Sequence, residues 1–286
     1  MHIEKIVKGH QMKTKELIEE KYLTLTKTEK SIANFILQDQ TYSIINMTLL
    51  ELSKQLRLGE ASIIRFCRKM GFRGFQDLKV SMAIENAQEE DTGETNEIDN
   101  NAAMENMVRV IQNTNASIDR EEIQQAIELM DASENVFFYG VGSSGFTAEI
   151  AEARLLRVGK RCKAIKESHL QTVQSAVMGA QDVVIGISIS GSTNDLYQAL
   201  KTAKNNGSKL IAITNHENSP IAQLADCVLL TNAPENPVTG GTFTSVVSQL
   251  YVMDLLFTYY TAKNWQKAYS YREKVAISIN EKLDEK

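Results

Sequence analysis

The chain has 286 residues, 43% of them hydrophobic, enough for one or two domains with real cores. Its net charge is −5, and it has no uncharged apolar leader and no apolar run of bilayer length. These features argue against secretion or membrane spanning, so a soluble, cytoplasmic chain is expected. Three widely separated cysteines (Cys67, Cys162 and Cys227), with no CxxC and no histidines at ligand spacing, argue against a zinc site or disulfide scaffold, and no metal or cofactor is expected.

Residues 1–20 receive no assignment. Thr48-Leu-Leu-Glu51 is a capping box, and Leu49–Leu56 is predicted as a helix with Leu49, Leu52 and Leu56 on one face. After a break at Arg57-Leu58-Gly59, a second helix is predicted over Ala61–Met70, stopping at Gly71. In it Ile63, Phe66, Cys67 and Met70 suit a core. Ser62, Arg65, Arg68 and Lys69 project elsewhere, where they can meet base edges and phosphates. The pattern fits a helix-turn-helix, and equally a generic α-hairpin with a polar outer face.

Charge is unevenly spread. Residues 1–84 carry 14 Lys or Arg against 9 Asp or Glu, while residues 85–99 carry 7 acids and no base. A basic segment on an acidic chain suggests a nucleic-acid surface, although a plain solvated surface has the same composition. Residues 85–101 hold little to bury and are predicted as an exposed acidic linker. The expected division is a helical domain at 1–84, the linker at 85–101 and a second domain at 102–286.

Beyond the linker, helices are predicted at 102–116 and 120–131. Strands follow at 135–141, 160–166, 182–189, 209–215 and 227–232, alternating with helices. This order predicts right-handed βαβ crossovers and an α/β three-layer sandwich on a parallel sheet. Two strands run into turns of glycine and hydroxyl residues: Gly140-Val-Gly142-Ser143-Ser144-Gly145, and Ser188-Ile189-Ser190-Gly191-Ser192-Thr193. Amides at a helix start, glycines that permit close approach and neutral hydroxyl donors make a cradle for a phosphate. An ordinary turn capped by Ser and Thr has the same layout. Gly140, Gly142 and Gly145 also satisfy GxGxxG, but the second strand ends in Lys166 rather than an acid for a ribose. His169 begins a predicted helix near the crevice, as a ligand contact or as a surface histidine. Glu149 and Glu152 decorate a helix face. The apolar stretch Val246–Tyr259 is core or a dimer face.

The two turns together resemble those of the SIS (sugar isomerase) domain over about residues 105–260. The resemblance implies a five-stranded parallel sheet of flavodoxin-like order that binds a phosphosugar. Gly142, Ser143, Ser144, Ser188, Ser190 and Thr193 would hold it, assisted by the Ile189 and Gly191 amides, with His169 and Glu235 touching the sugar.

The segment Glu60–Phe75, with Leu25–Ala33 upstream, resembles the amino-terminal domain of RpiR-type transcriptional regulators, a family that joins this domain through a linker to a SIS domain. Arg57 and Gly59 stand where Gly and then Ser are usual. An arginine in a left-handed turn costs about 1 kcal/mol. Gly59 can still cap the following helix. The resemblance implies a non-enzymatic regulator that binds operator DNA through Ser62, Arg65, Arg68 and Lys69 as a homodimer or homotetramer. A sugar-phosphate effector would modulate this, controlling sugar or amino-sugar genes. The alternative is a phosphosugar isomerase with Glu149, Glu152, Glu167, His169 and Glu235 as acid–base candidates. An isomerase has no use for a helix-turn-helix.

Overall fold

Capping chemistry sets the amino-terminal helices. Thr26 with Glu29 opens one and Thr48 with Glu51 opens another, each pair satisfying amides that a helix start leaves unpaired. In the computed structural model, which describes residues 13–39, 43–90, 100–233 and 243–284, five helices form this unit. They are α1 (Thr14–Lys21), α2 (Lys27–Gln38), α3 (Leu49–Leu56), α4 (Glu60–Lys69) and α5 (Phe75–Glu90). Ile63, Phe66 and Cys67 of α4 pack with Ile32 and Ile36 of α2, Leu52 of α3 and Leu78 of α5.

Two boundaries differ from expectation. Helix α5 runs on to Glu90, so the segment from residue 85 begins as helix rather than linker. Glu85 is buried and accepts hydrogen bonds from the Thr14 amide (2.7 Å) and hydroxyl (2.6 Å). A carboxylate with two donors is stable out of water, whereas composition alone marks it as linker. Residues 91–99 lie outside the described residues. Helix α1, in a segment given no assignment, supplies the fully buried Ile18.

The second unit starts with α6 (Asn100–Ser117) and α7 (Arg120–Ala132). Then come β1 (Asn135–Gly140), α8 (Ser143–Leu156), β2 (Cys162–Ile165), α9 (Ser168–Val177), β3 (Asp182–Ile187), α10 (Asn194–Asn205), β4 (Lys209–Thr214), α11 (Pro220–Leu224) and β5 (Cys227–Leu230). Helices α12 (Phe243–Lys263) and α13 (Trp265–Asp284) close it. All five strands are parallel, in the order β2-β1-β3-β4-β5.

Period-two alternation divides the core. Val136 and Phe138 of β1 pack with α7, α8 and α12. Phe137 and Tyr139 pack with α10 and α11 on the other face. Much of the apolar surface of α12 is therefore core, with Val252, Met253, Leu256 and Tyr260 buried and Tyr259 exposed. All three cysteines are free, Cys67 and Cys227 buried and Cys162 half-buried. Among the described residues no helix is long and apolar enough to cross a membrane.

Candidate functional site

From β1 the chain moves to β2 on one side, then returns to β3 on the other. The adjacent strands β1 and β3, in register from Asn135 opposite Asp182 to Gly140 opposite Ile187, thus make the topological switch point of the sheet. A crevice opens at the carboxyl ends of such a pair, which is where open α/β sheets bind ligands. Both glycine and hydroxyl turns leave the sheet there.

The two helices that follow these turns share an unusual start. Of α7 to α11, α7, α9 and α11 are capped by the side chains of Asp119, Glu167 and Ser219. Helices α8 and α10, behind Gly142 and Thr193, have no side-chain cap. The Gly145 amide turns back to the Gly142 carbonyl (3.1 Å), and no side chain caps the other first-turn amides, which have the positive end of each helix dipole behind them. Gly142 has φ 59° and ψ −130°, outside the regions open to residues with a β-carbon.

The hydroxyls are held in place. The Ser188 hydroxyl accepts from the Gly191 amide (3.1 Å) and lies 3.1 Å from the Thr193 hydroxyl. The Ser190 hydroxyl accepts from the Ser192 amide at 3.3 Å. Ser144 is buried and accepts a hydrogen bond from Gln249 Nε2 (2.9 Å), so its own proton is available to an anion. Gln249 is fixed in turn, its Oε1 accepting from the Thr147 hydroxyl at 3.0 Å. The structure thus brings Gly142, Ser143 and Ser144 to one side of the crevice and Ser188 to Thr193 to the other. The Gly191 amide is spent within its own loop, bonding to Ser188, while the Ile189 carbonyl accepts from Asn215 and Thr214.

Gln249 was not singled out as a site residue in the sequence. The signal was present, because Ser248 and Gln249 interrupt an otherwise apolar helix. Gln171 carries no such signal in the sequence. It is fully buried, donates to the Gly140 (3.1 Å) and Ile165 (2.7 Å) carbonyls, and so ties the ends of β1 and β2 together.

Three of the five acid–base candidates have structural partners. Glu149 pairs with Lys166 (2.8 Å). Glu152 accepts from the Ala164 amide (2.8 Å) on the sheet edge. Glu167 caps α9, and the His169 and Leu170 amides hold its carboxyl below the ordinary range. His169 is exposed in the first turn of α9. Glu235 lies outside the described residues. Burial pushes all three cysteine thiols up to about 12, so none is a ready nucleophile.

In the helical unit, α3 and α4 are joined by Arg57-Leu58-Gly59. Arg57 is left-handed (φ 54°), and Gly59 caps α4. The Arg65 side chain donates to the Ser62 hydroxyl at 3.0 Å, and Arg65 and Arg68 lie exposed on the outer face of α4. Lys69, expected among the DNA-facing residues, instead donates to Glu29 (2.7 Å) and to the Thr24 carbonyl (3.2 Å). That contact, first of all, lowers the Glu29 carboxyl from its ordinary range, assisted by the Thr26 amide.

Comparison with known proteins agrees with both halves. Residues 12–89 match the model of the helix-turn-helix domain of the rpiR family, and residues 128–259 match that of the SIS domain. An HTH-type transcriptional regulator of Haemophilus influenzae is 32% identical, with 82% of this chain and 85% of that protein covered. The HTH-type transcriptional regulator RpiR of Escherichia coli K12 is 27% identical over 85% of this chain and 84% of its own length. The Vibrio vulnificus NanR protein, solved in complex with ManNAc-6P, has the same fold, with a TM-score of 0.83 and 24% identity over 93% of this chain and 97% of that one.

Proposed function

Because this chain belongs to the rpiR family of helix-turn-helix transcriptional regulators that carry a SIS domain, we propose that it senses a sugar phosphate and adjusts its grip on operator DNA accordingly. One observation carries the reading. The two helices that open on the switch-point crevice are those left without side-chain caps, and hydroxyls of Ser144, Ser188 and Thr193 stand beside them. The phosphate sits on Gly142, Ser143, Ser144, Ser188, Ser190 and Thr193, with the Ile189 and Gly191 backbone lining the loop. The sugar lies toward His169 and Glu235. No Lys or Arg occurs within either turn, so dipoles and hydroxyls meet the charge. Operator DNA meets Ser62, Arg65 and Arg68 on α4, with Lys69 holding the helix in place. The protein acts in the cytoplasm as a homodimer or homotetramer, each pair of α4 helices reading one pair of half-sites, and its targets are genes of sugar or amino-sugar metabolism.

Two measurements test this. Calorimetry across a panel of sugar phosphates that includes ManNAc-6P should find one that binds while its unphosphorylated parent does not. Equal affinity for both would overturn the phosphate assignment. In operator titrations, Arg65→Ala and Arg68→Ala should each weaken binding about tenfold. The salt slope should fall by about one for each phosphate contact removed. Unchanged affinity in both variants refutes the DNA face.

A further inference from the structure

Helix α8 carries Ser143 at its first turn and two arginines at its last. Arg154 lies 11 residues beyond Ser143, about 17 Å away at 1.5 Å per residue, so this end of the helix is remote from the switch-point crevice. Arg154 and Arg157 line a cavity of about 300 Å³ together with Arg272 of α13 and Phe257 of α12. The Arg272 guanidinium lies 5.5 Å from the centre of the Phe257 ring, which steadies it. None of the three arginines forms an ion pair with a described residue. The negative end of the α8 dipole accounts for cations at positions 154 and 157. It gives no reason for a third to arrive from α13.

Beside this cluster lies a second cavity of about 530 Å³ between α8 and α12 above β1. It shares Arg154 and Phe257 with the first, and Phe138, Ile150, Leu155 and Met253 give it apolar walls, with Asp254 the one acid in its lining. Both volumes fall in the range of small-molecule sites, and an apolar chamber with a few convergent polar groups is the usual form of such a site.

We propose that this is a second ligand site, which takes an amphipathic organic anion. The three guanidiniums clasp its carboxylate, and its apolar body occupies the larger cavity. Guanidinium forks suit a carboxylate, and no described residue forms an ion pair with any of the three. A second copy of the chain is a poorer occupant where the two-fold axis passes through the cluster, because it would oppose three arginines with three.

Octanoate is the probe, with acetate and octan-1-ol as the head-only and tail-only controls. Trp265, the single tryptophan, is exposed on α13 seven residues before Arg272 and reports binding by fluorescence. Octanoate should saturate, with each control about tenfold weaker or worse. Arg154→Gln and Arg272→Gln, both exposed positions, should weaken octanoate by about tenfold. Sugar-phosphate calorimetry should be unmoved in these variants, which separates this site from the crevice. Octanol binding as well as octanoate, or octanoate binding indifferent to both substitutions, overturns the proposal. So does the absence of saturation at millimolar concentration. If instead the substitutions turn oligomers into monomers in sedimentation while leaving octanoate affinity unchanged, the arginines belong to an interface and the proposal is wrong.

Discussion

A single β-carbon decides the shape of the Ser188–Thr193 loop. Gly191 has φ 59°, and a β-carbon there would fall 2.0 Å from the Ser219 hydroxyl and 2.8 Å from that of Thr214. Gly191→Ala is expected to cost about 1–2 kcal/mol for the left-handed backbone alone, with displacement of the Ser219 cap in addition. The melting temperature should fall and sugar-phosphate binding should be lost in calorimetry; binding at the level of the unmodified protein would remove the loop from the site. The two turns stand out in the sequence as glycine and hydroxyl clusters at strand ends, a layout that ordinary capped turns share. Arg57 was readable as well, as a left-handed residue outside its customary glycine. Gln249 leaves only a polar interruption in an apolar helix and Gln171 leaves no signal, because their value lies in partners 105 and 31 residues away. The helical position of Lys69 allows it a DNA-facing direction, but its side chain goes to Glu29, 40 residues distant.

Helix α4 is therefore braced as well as packed. The Lys69–Glu29 pair couples the end of α4 to the capping box of α2, with Lys69 exposed and Glu29 half-buried. A carboxyl held below its ordinary value of 4.5 adds stability that is complete above that value and fades as pH falls through the lower, folded one. The contribution of a pair this exposed is about 0.2–1 kcal/mol. Thermal melts from neutral pH downward should show the unmodified protein losing more stability below about pH 4.5 than Glu29→Gln does, and Lys69→Met should flatten the same window. Parallel acid profiles for all three proteins would mean the pair does nothing. At the scale of elements, the five strands begin and end within two residues of expectation because β-branched runs and turn residues are local signals. The end of α5 differs from expectation for the opposite reason: by composition Glu85 belongs to a linker, but Thr14, 71 residues earlier, gives it two donors.

For the whole molecule, a sensor must be linked thermodynamically to its readout. If effector binding changes operator affinity by the usual 5- to 150-fold, about 1–3 kcal/mol, operator DNA must change effector affinity by the same factor. Effector titrations with and without DNA test this directly, and identical affinities would leave two functions on one chain with no regulation between them. The absence of Lys and Arg from both turns has a further, kinetic consequence. A site built of helix ends and hydroxyls has reach only within about one helical turn, and it sits in a chain whose net charge of −5 draws no anion from afar. Arrival of the sugar phosphate is then unsteered diffusion, much the same for one phosphorylated sugar as for another. Discrimination among them must lie in how long each one stays.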